Sequence, residues 1–215
     1  NSDCNFGLSN IEVPVQHYIY ISVVHAVIPY SWYNINSLNN SLSYSINGIQ
    51  SLLIIEQGNY NANQLASYLT TNLGNNTVVT YNAITNKFTF TNAIFPFSIL
   101  NNDLSTCLNV IGFRNSSLSS FTTVDNVLKS ITGCNLQSKH CVCVQSNFIS
   151  GNINNSNKNA GTILCSIPVN GQPYSMLVYT PAKPIKTNIF NGNINLINLK
   201  LVDQNGNLID LNGLE

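Results

Sequence analysis

The sequence predicts an all-β protein, a single jelly-roll sandwich of about eight antiparallel strands in two sheets with one or two short helices. Three observations predict it. Short runs are rich in β-branched and aromatic residues, clusters of Asn, Gly and Pro punctuate them, and an Asn47-Gly48 dipeptide sits between two such runs. All-β domains commonly reach 215 residues as one unit, so residues 1–215 are read as a single domain. The chain has no initiating Met and ends Leu214-Glu215, and both termini are treated as truncation points.

Residues 17–28 are apolar on both faces and are closed by Pro29, which predicts a long buried strand. Residues 41–46 and 49–55 flank Asn47-Gly48, the dipeptide that best supplies the positive φ angles of a tight hairpin turn. Asn61 caps a helix to about Asn72, with Leu65, Tyr68, Leu69 and Leu73 at helical spacing and Gly74 as the stop. Residues 77–81 and 87–91 predict a second hairpin with Phe88 and Phe90 on one face. Asn102 or Asp103 is expected to cap a short helix containing Leu104, Leu108 and Ile111, ended by Gly112. Residues 114–133 carry no clear period. Further strands are expected at 137–149, 162–167, 175–179 and 193–202, with residues 150–161 as a polar loop.

Composition narrows the function. Hydrophobic residues make up 44% of the chain and charged ones 7%, against a usual charged share of about 25%. Asn supplies most of the polarity, alternating with Ile, Leu, Val, Phe and Tyr, which is a folding pattern and not a disordered one. Eight basic and eight acidic residues cancel, so no basic patch is available to neutralise phosphates, and nucleic acid is not expected as a direct partner. Little net charge keeps copies apart, which suits a protein that associates. No apolar run reaches the ~18 residues of a spanning helix, so no membrane span is expected. The six cysteines are expected to be free and mostly buried. The sequon matches at Asn75, Asn115 and Asn154 arise by chance in so Asn-rich a chain.

No reactive constellation stands out. Cys134, His140, Cys141 and Cys143 are ligand types for zinc, yet strand alternation puts Cys141 and Cys143 on one face and His140 on the other. His17 and His25 lie in an apolar strand and no Cys opens a helix, which argues against a cysteine hydrolase. Glu12, Glu56, Asp103 and Asp125 are far apart in sequence. Asp203, Asn205 and Asn207 offer alternate oxygens, but the twelfth position of a calcium loop is not acidic and Asn205-Gly206 reads as a turn flanked by Asp203 and Asp210. No catalytic residue, cofactor or metal is expected. Tyr18, Tyr20, Tyr30, Trp32, Tyr33 and Tyr44 would suit a sugar-binding face or an interface, and Tyr30, Trp32 and Tyr33 are expected to anchor subunit contacts.

Ala26-Val-Ile-Pro-Tyr-Ser-Trp-Tyr-Asn-Ile-Asn36, then Ile54-Ile-Glu-Gln-Gly-Asn-Tyr-Asn61 opening a helix, then Lys87-Phe-Thr-Phe90 follow one another in an order that resembles a known family. Leu108-Asn-Val-Ile-Gly-Phe113 and the segment from Leu199 to Gly213 continue it, so the resemblance spans most of the chain outside residues 114–190. The family is the minor capsid (penton) proteins of virophages, mavirus among them, and of Polinton-type viruses. The resemblance implies a single jelly roll assembling as a homopentamer at the fivefold vertices of an icosahedral virion. It implies neighbouring double-jelly-roll major capsid proteins, assembly in the host cytoplasm, and no enzymatic activity. The competing reading is a secreted adhesin or carbohydrate-binding module, which would carry disulfides and an exposed aromatic platform.

Overall fold

The structure is a computed structural model and describes residues 2–12, 19–114, 117–137, 139–146, 163–189 and 193–214. Ten strands precede residue 130: β1 (Asp3–Glu12), β2 (Ile19–Ile21), β3 (Ala26–Pro29), β4 (Ser41–Ile46), β5 (Ile49–Ile54), β6 (Thr77–Asn82), β7 (Lys87–Asn92), β8 (Phe97–Leu100), β9 (Ser120–Thr122) and β10 (Val127–Lys129). Five follow: β11 (Cys141–Ser146), β12 (Ile163–Pro168), β13 (Met176–Tyr179), β14 (Thr187–Ile189) and β15 (Asn193–Val202). One helix, α1 (Ala62–Leu73), lies between β5 and β6. Every strand pairing among the described residues is antiparallel. The expected all-β class is the observed one, with more and shorter strands than the sequence runs suggest. The chain divides into two compact units, Tyr33–Ser138 and Asn1–Trp32 with Lys139–Glu215.

In the Tyr33–Ser138 unit, β4 and β5 form the hairpin expected at Asn47-Gly48, and both turn residues take positive φ, 52° and 80°. The Asn61 side chain accepts from Gln64 N, and the Gln64 side chain accepts from Asn61 N, each at 2.9 Å. That capping box starts α1, which buries Leu65, Ala66, Leu69 and Leu73, and Gly74 at φ 61° ends it. Strands β6 and β7 form the second hairpin, with Phe88 and Phe90 both facing the core. Two sheets result, ordered β10-β7-β6 and β5-β4-β8-β9. They meet through Phe90 and Phe97, whose rings stack at 5.6 Å with 9° between planes.

The helix expected after Asn102 does not form. Residues 102–112 are a chain of turns. Ser105 Oγ donates to Leu100 O at 2.6 Å and accepts from Ser43 N at 2.9 Å, while Cys107 N donates to Ser41 O at 3.0 Å. These bonds tie the segment to the free end of β4, and backbone groups that a helix would use internally are taken. Gly112 does end the segment, at φ 82°. The segment 114–133, unassigned from sequence, contributes β9 and β10.

In the other unit, a four-stranded sheet runs β1-β15-β11-β12. Its inward face carries Val142, Val144, Cys165, Ile167, Leu199 and Leu201. Strand β3 pairs with β13, and β2 with β14, each as a two-stranded ribbon. Ile28 and Leu177, facing each other in register, complete the core with Tyr30, Trp32, Ile209 and Leu211. The single long buried strand expected over 17–28 is corrected: β2 and β3 are separated at residues 22–25, and one face is open to solvent. Residues 17 and 18, and the loop expected at 150–161, lie outside the described residues.

Candidate interaction surface

Strand alternation leaves an apolar face uncovered on the β3–β13 ribbon. Val27 pairs with Val178 and Pro29 with Met176, and these side chains face away from buried Ile28 and Leu177. Val27, Met176 and Val178 are 51%, 62% and 64% exposed. Tyr174, in the turn before β13, is also exposed. Contiguous apolar surface of this kind marks a contact site in soluble proteins. The sequence signal was present: Met176-Leu-Val-Tyr179 is apolar at each position, so both of its faces had to be.

A second apolar element lies in the Tyr33–Ser138 unit. Strand β5 is an edge of its sheet, and Ile49, Leu52 and Ile54 are exposed on it. Exposed edges are usually guarded by charge or proline, because unpaired backbone groups recruit other strands. The six residues of β5, Ile-Gln-Ser-Leu-Leu-Ile, carry neither.

Beside β5 the two motifs at Tyr33 to Asn36 and Glu56 to Asn61 are bonded to each other. Asn34 N donates to Asn59 Oδ1 at 2.9 Å, Asn34 Nδ2 to Tyr60 O at 2.8 Å, and Tyr60 N to Asn34 Oδ1 at 3.0 Å. Ile35 and Gly58 exchange both backbone bonds, at 3.1 and 3.0 Å. Asn39 closes the loop, donating to Asn34 O at 2.9 Å and accepting from Asn36 N at 2.7 Å. The amides of this chain thus replace missing sheet partners for loop backbone, which gives its Asn-rich composition a structural cause.

The residues expected at a subunit contact are placed differently from one another. Tyr30 and Trp32 stack at 4.4 Å and are only 7% and 2% exposed, within the core of the Asn1–Trp32 and Lys139–Glu215 unit. As folded, neither ring offers surface to a neighbour. Tyr33 is half-buried. The aromatic sugar platform is not assembled from this set either: Tyr20 is exposed on β2, Tyr44 is half-buried against Phe97, and Tyr18 lies outside the described residues.

The reactive candidates are dispersed. Cys141 and Cys143 share a face of β11 with their sulfurs 3.8 Å apart, as strand alternation requires. His140 is exposed, its backbone N donating to Gln204 Oε1 at 3.2 Å. Cys134 belongs to the other unit, where its thiol donates to Asn86 Oδ1 at 2.9 Å. His25 is exposed and its Nδ1 lies 2.9 Å from Thr180 Oγ1, while His17 is outside the described residues. Glu56, Asp103 and Asp125 are exposed, and the side chain of Glu12 is not described. Among the described residues, no three His, Cys, Asp or Glu side chains gather to hold a metal ion. Asp203 Oδ1 accepts from Asn205 N and Asn207 N at 2.8 and 3.0 Å, and Lys139 approaches Oδ2 at 3.7 Å. The 203–207 segment is the turn expected there, with Gly206 at φ 85°.

Cys107, Cys134, Cys141, Cys143 and Cys165 are free thiols. Burial pushes the Cys107 thiol up to about 12, and the Cys143 and Cys165 thiols up to about 11. Such thiols are poor nucleophiles at neutral pH. No helix among the described residues is long and apolar enough to cross a membrane.

No protein-family model matches the chain, and no curated protein matches its sequence. Among solved structures, the crystal structure of the selenomethionine-labelled mavirus penton protein is similar at a TM-score of 0.48 and 14% identity. That alignment covers 97% of this chain and 87% of the penton chain.

Proposed function

We propose that this chain is a structural protein of a virion, a penton (minor capsid) protein built as one jelly-roll domain. In this reading it assembles as a homopentamer at the fivefold vertices of an icosahedral capsid, beside double-jelly-roll major capsid proteins, in the host cytoplasm. The observation that carries the proposal is the uncovered apolar surface of the β3–β13 ribbon, Val27, Met176 and Val178, on a chain of zero net charge. Such a surface needs a protein partner and meets no charge barrier to one. The order of motifs resembling penton proteins supports the same reading. So does the bonding between two of those motifs at Asn34, Asn59 and Tyr60. Of the three aromatics expected at a contact, only Tyr33, half-buried, keeps side-chain surface for one. The buried Tyr30–Trp32 stack supports the core behind the β3–β13 face.

In a ring, each copy meets its neighbour head to tail, so an apolar face on one subunit covers a different surface on the next. No catalytic residue takes part. The adhesin reading called for disulfides and an aromatic platform. The free thiols and the burial of Tyr30 and Trp32 do not favour it. Native mass spectrometry of the chain, alone and with its major capsid partner, tests the proposal. Fivefold species formed alone or with the partner are expected. A monomer under both conditions that binds on a glycan array would overturn it.

A further inference from the structure

Within the Tyr33–Ser138 unit, side chains between residues 101 and 114 line an open cleft of about 460 Å³. That volume is in the usual range of binding pockets. Leu108 and Phe113, both members of the core, line its buried side. The polar walls are fixed by bonds already made. Asn101 Nδ2 donates to Leu118 O at 2.7 Å. Ser105 Oγ is engaged by Leu100 O and Ser43 N, and Thr106 Oγ1 accepts from Ser41 N at 3.0 Å.

Arg114, the single arginine of the sequence, is exposed at this cleft. Its Nε donates to Asn109 Oδ1 at 3.3 Å, which orients the guanidinium plane. Among the described residues nothing accepts from its two Nη groups or from Asn109 Nδ2, and no carboxylate lines the cleft. Asp103, in the same run of turns, is exposed and forms none of the lining. These donors have a definite match. A carboxylate presents two coplanar oxygens to the paired Nη–H groups, and one cation balances its one charge. Phosphate carries more charge and is met at the N–H groups of a helix start or by several cations. The one helix among the described residues, α1, has no part in this cleft.

We infer that the Arg114 cleft is a binding site for a carboxylate carried by an extended peptide of a protein partner. The Nη groups of Arg114 hold the carboxylate end-on, and Asn109 Nδ2 supplies a further donor. An exposed ion pair alone gives little affinity, so the second donor and the fixed walls are what make the site selective. The opening to solvent lets a chain pass through, where an enclosed cavity would take only a free small molecule. No covalent bond forms or breaks. The site goes beyond the proposed capsid role and does not depend on it.

The test uses the full chain labelled with nitrogen-15. With a single arginine, the Nε–H of Arg114 gives one side-chain signal to follow by nuclear magnetic resonance. The probes, titrated at low ionic strength, are acetyl-Ala-Glu-Ala-amide, acetyl-Ala-Ala-Ala with a free carboxyl end, and the neutral acetyl-Ala-Gln-Ala-amide. A carboxylate peptide should shift the signal to saturation with a Kd of about 1–10 mM, and the tighter of the two separates a side-chain carboxylate from a chain end. The neutral peptide should leave the signal in place. Arg114→Gln, at an exposed position, should weaken carboxylate binding by about tenfold or more, read at the Asn109 backbone amide. Arg114→Lys, which keeps the charge and loses the fork, should weaken it by about threefold or more. No saturable shift with either carboxylate peptide, an equal shift with the neutral one, tighter binding of inorganic phosphate, or binding that Arg114→Gln leaves unchanged would overturn the inference.

Discussion

Asn92 and Thr77 face each other across the end of the β6–β7 hairpin, and Asn92 Nδ2 donates to Thr77 Oγ1 at 3.0 Å with no solvent contact at Asn92. The same Nδ2 donates to Asn75 O at 2.8 Å. On its other side, Oδ1 accepts from Ile94 N at 3.1 Å and Phe95 N at 2.9 Å. Asn82 makes the same pair of acceptor bonds, to Ile84 N and Thr85 N at 2.9 and 3.0 Å, but on an exposed turn.

The two asparagines therefore form a matched comparison. Asn92→Leu leaves the buried Thr77 hydroxyl and the part-buried backbone groups of Asn75, Ile94 and Phe95 without this partner, and the loss of the buried one costs about 1–3 kcal/mol. Asn82→Leu lets water replace the lost bonds and should cost about 1 kcal/mol or less. Urea unfolding of both variants checks this, and equal losses would contradict the role given to burial.

Gly112 and Gly48 make a second matched pair. Both hold positive φ, 82° and 80°. A Cβ at Gly112 would lie 2.4 Å from Thr132 O, whereas none of the surrounding atoms come within 4 Å at Gly48. Gly48→Ala should cost the left-handed strain alone, about 1–2 kcal/mol. Gly112→Ala should cost that and the clash with backbone, measured as a clearly larger drop in unfolding free energy.

The buried thiols make part of the stability depend on alkaline pH. Cys107, Cys143 and Cys165 are raised from 9.0 to about 12, 11 and 11, so the folded chain keeps protons that the unfolded chain releases. Their contribution is fully present below pH 9.0 and is lost as pH rises through 11 and 12. Thermal unfolding across that range should show a falling midpoint above pH 9.0, and Cys107→Ala should flatten part of the fall.

Val178→Lys separates folding from assembly. The side chain is 64% exposed, so stability should change by about 0.5 kcal/mol or less. Burying an unpaired ammonium in a subunit contact should weaken assembly by about tenfold or more. Sedimentation of the variant with the proposed major capsid partner measures it, and unchanged assembly would remove the β3–β13 face from the proposed contact.

Sequence signals were readable where they were local. Asn47-Gly48 announced the first hairpin, Asn61 and Gly74 bounded α1, and the two-residue period put Phe88 with Phe90 and Cys141 with Cys143. What could not be read depended on distant partners. Strands β2, β9, β10 and β14 have three residues each, too few to show a period, and exist because a neighbouring strand pairs with them. Residues 102–112 have helical spacing, yet Ser43 and Ser41 in β4 take their bonds. Likewise Trp32 looks the same in sequence whether it faces a neighbour or its own core.

The most direct measurement is electron microscopy of particles assembled from the major capsid partner with and without this chain. The account predicts closed shells with density at the fivefold vertices that disappears when the chain is omitted. Shells with identical vertices in both samples would contradict it.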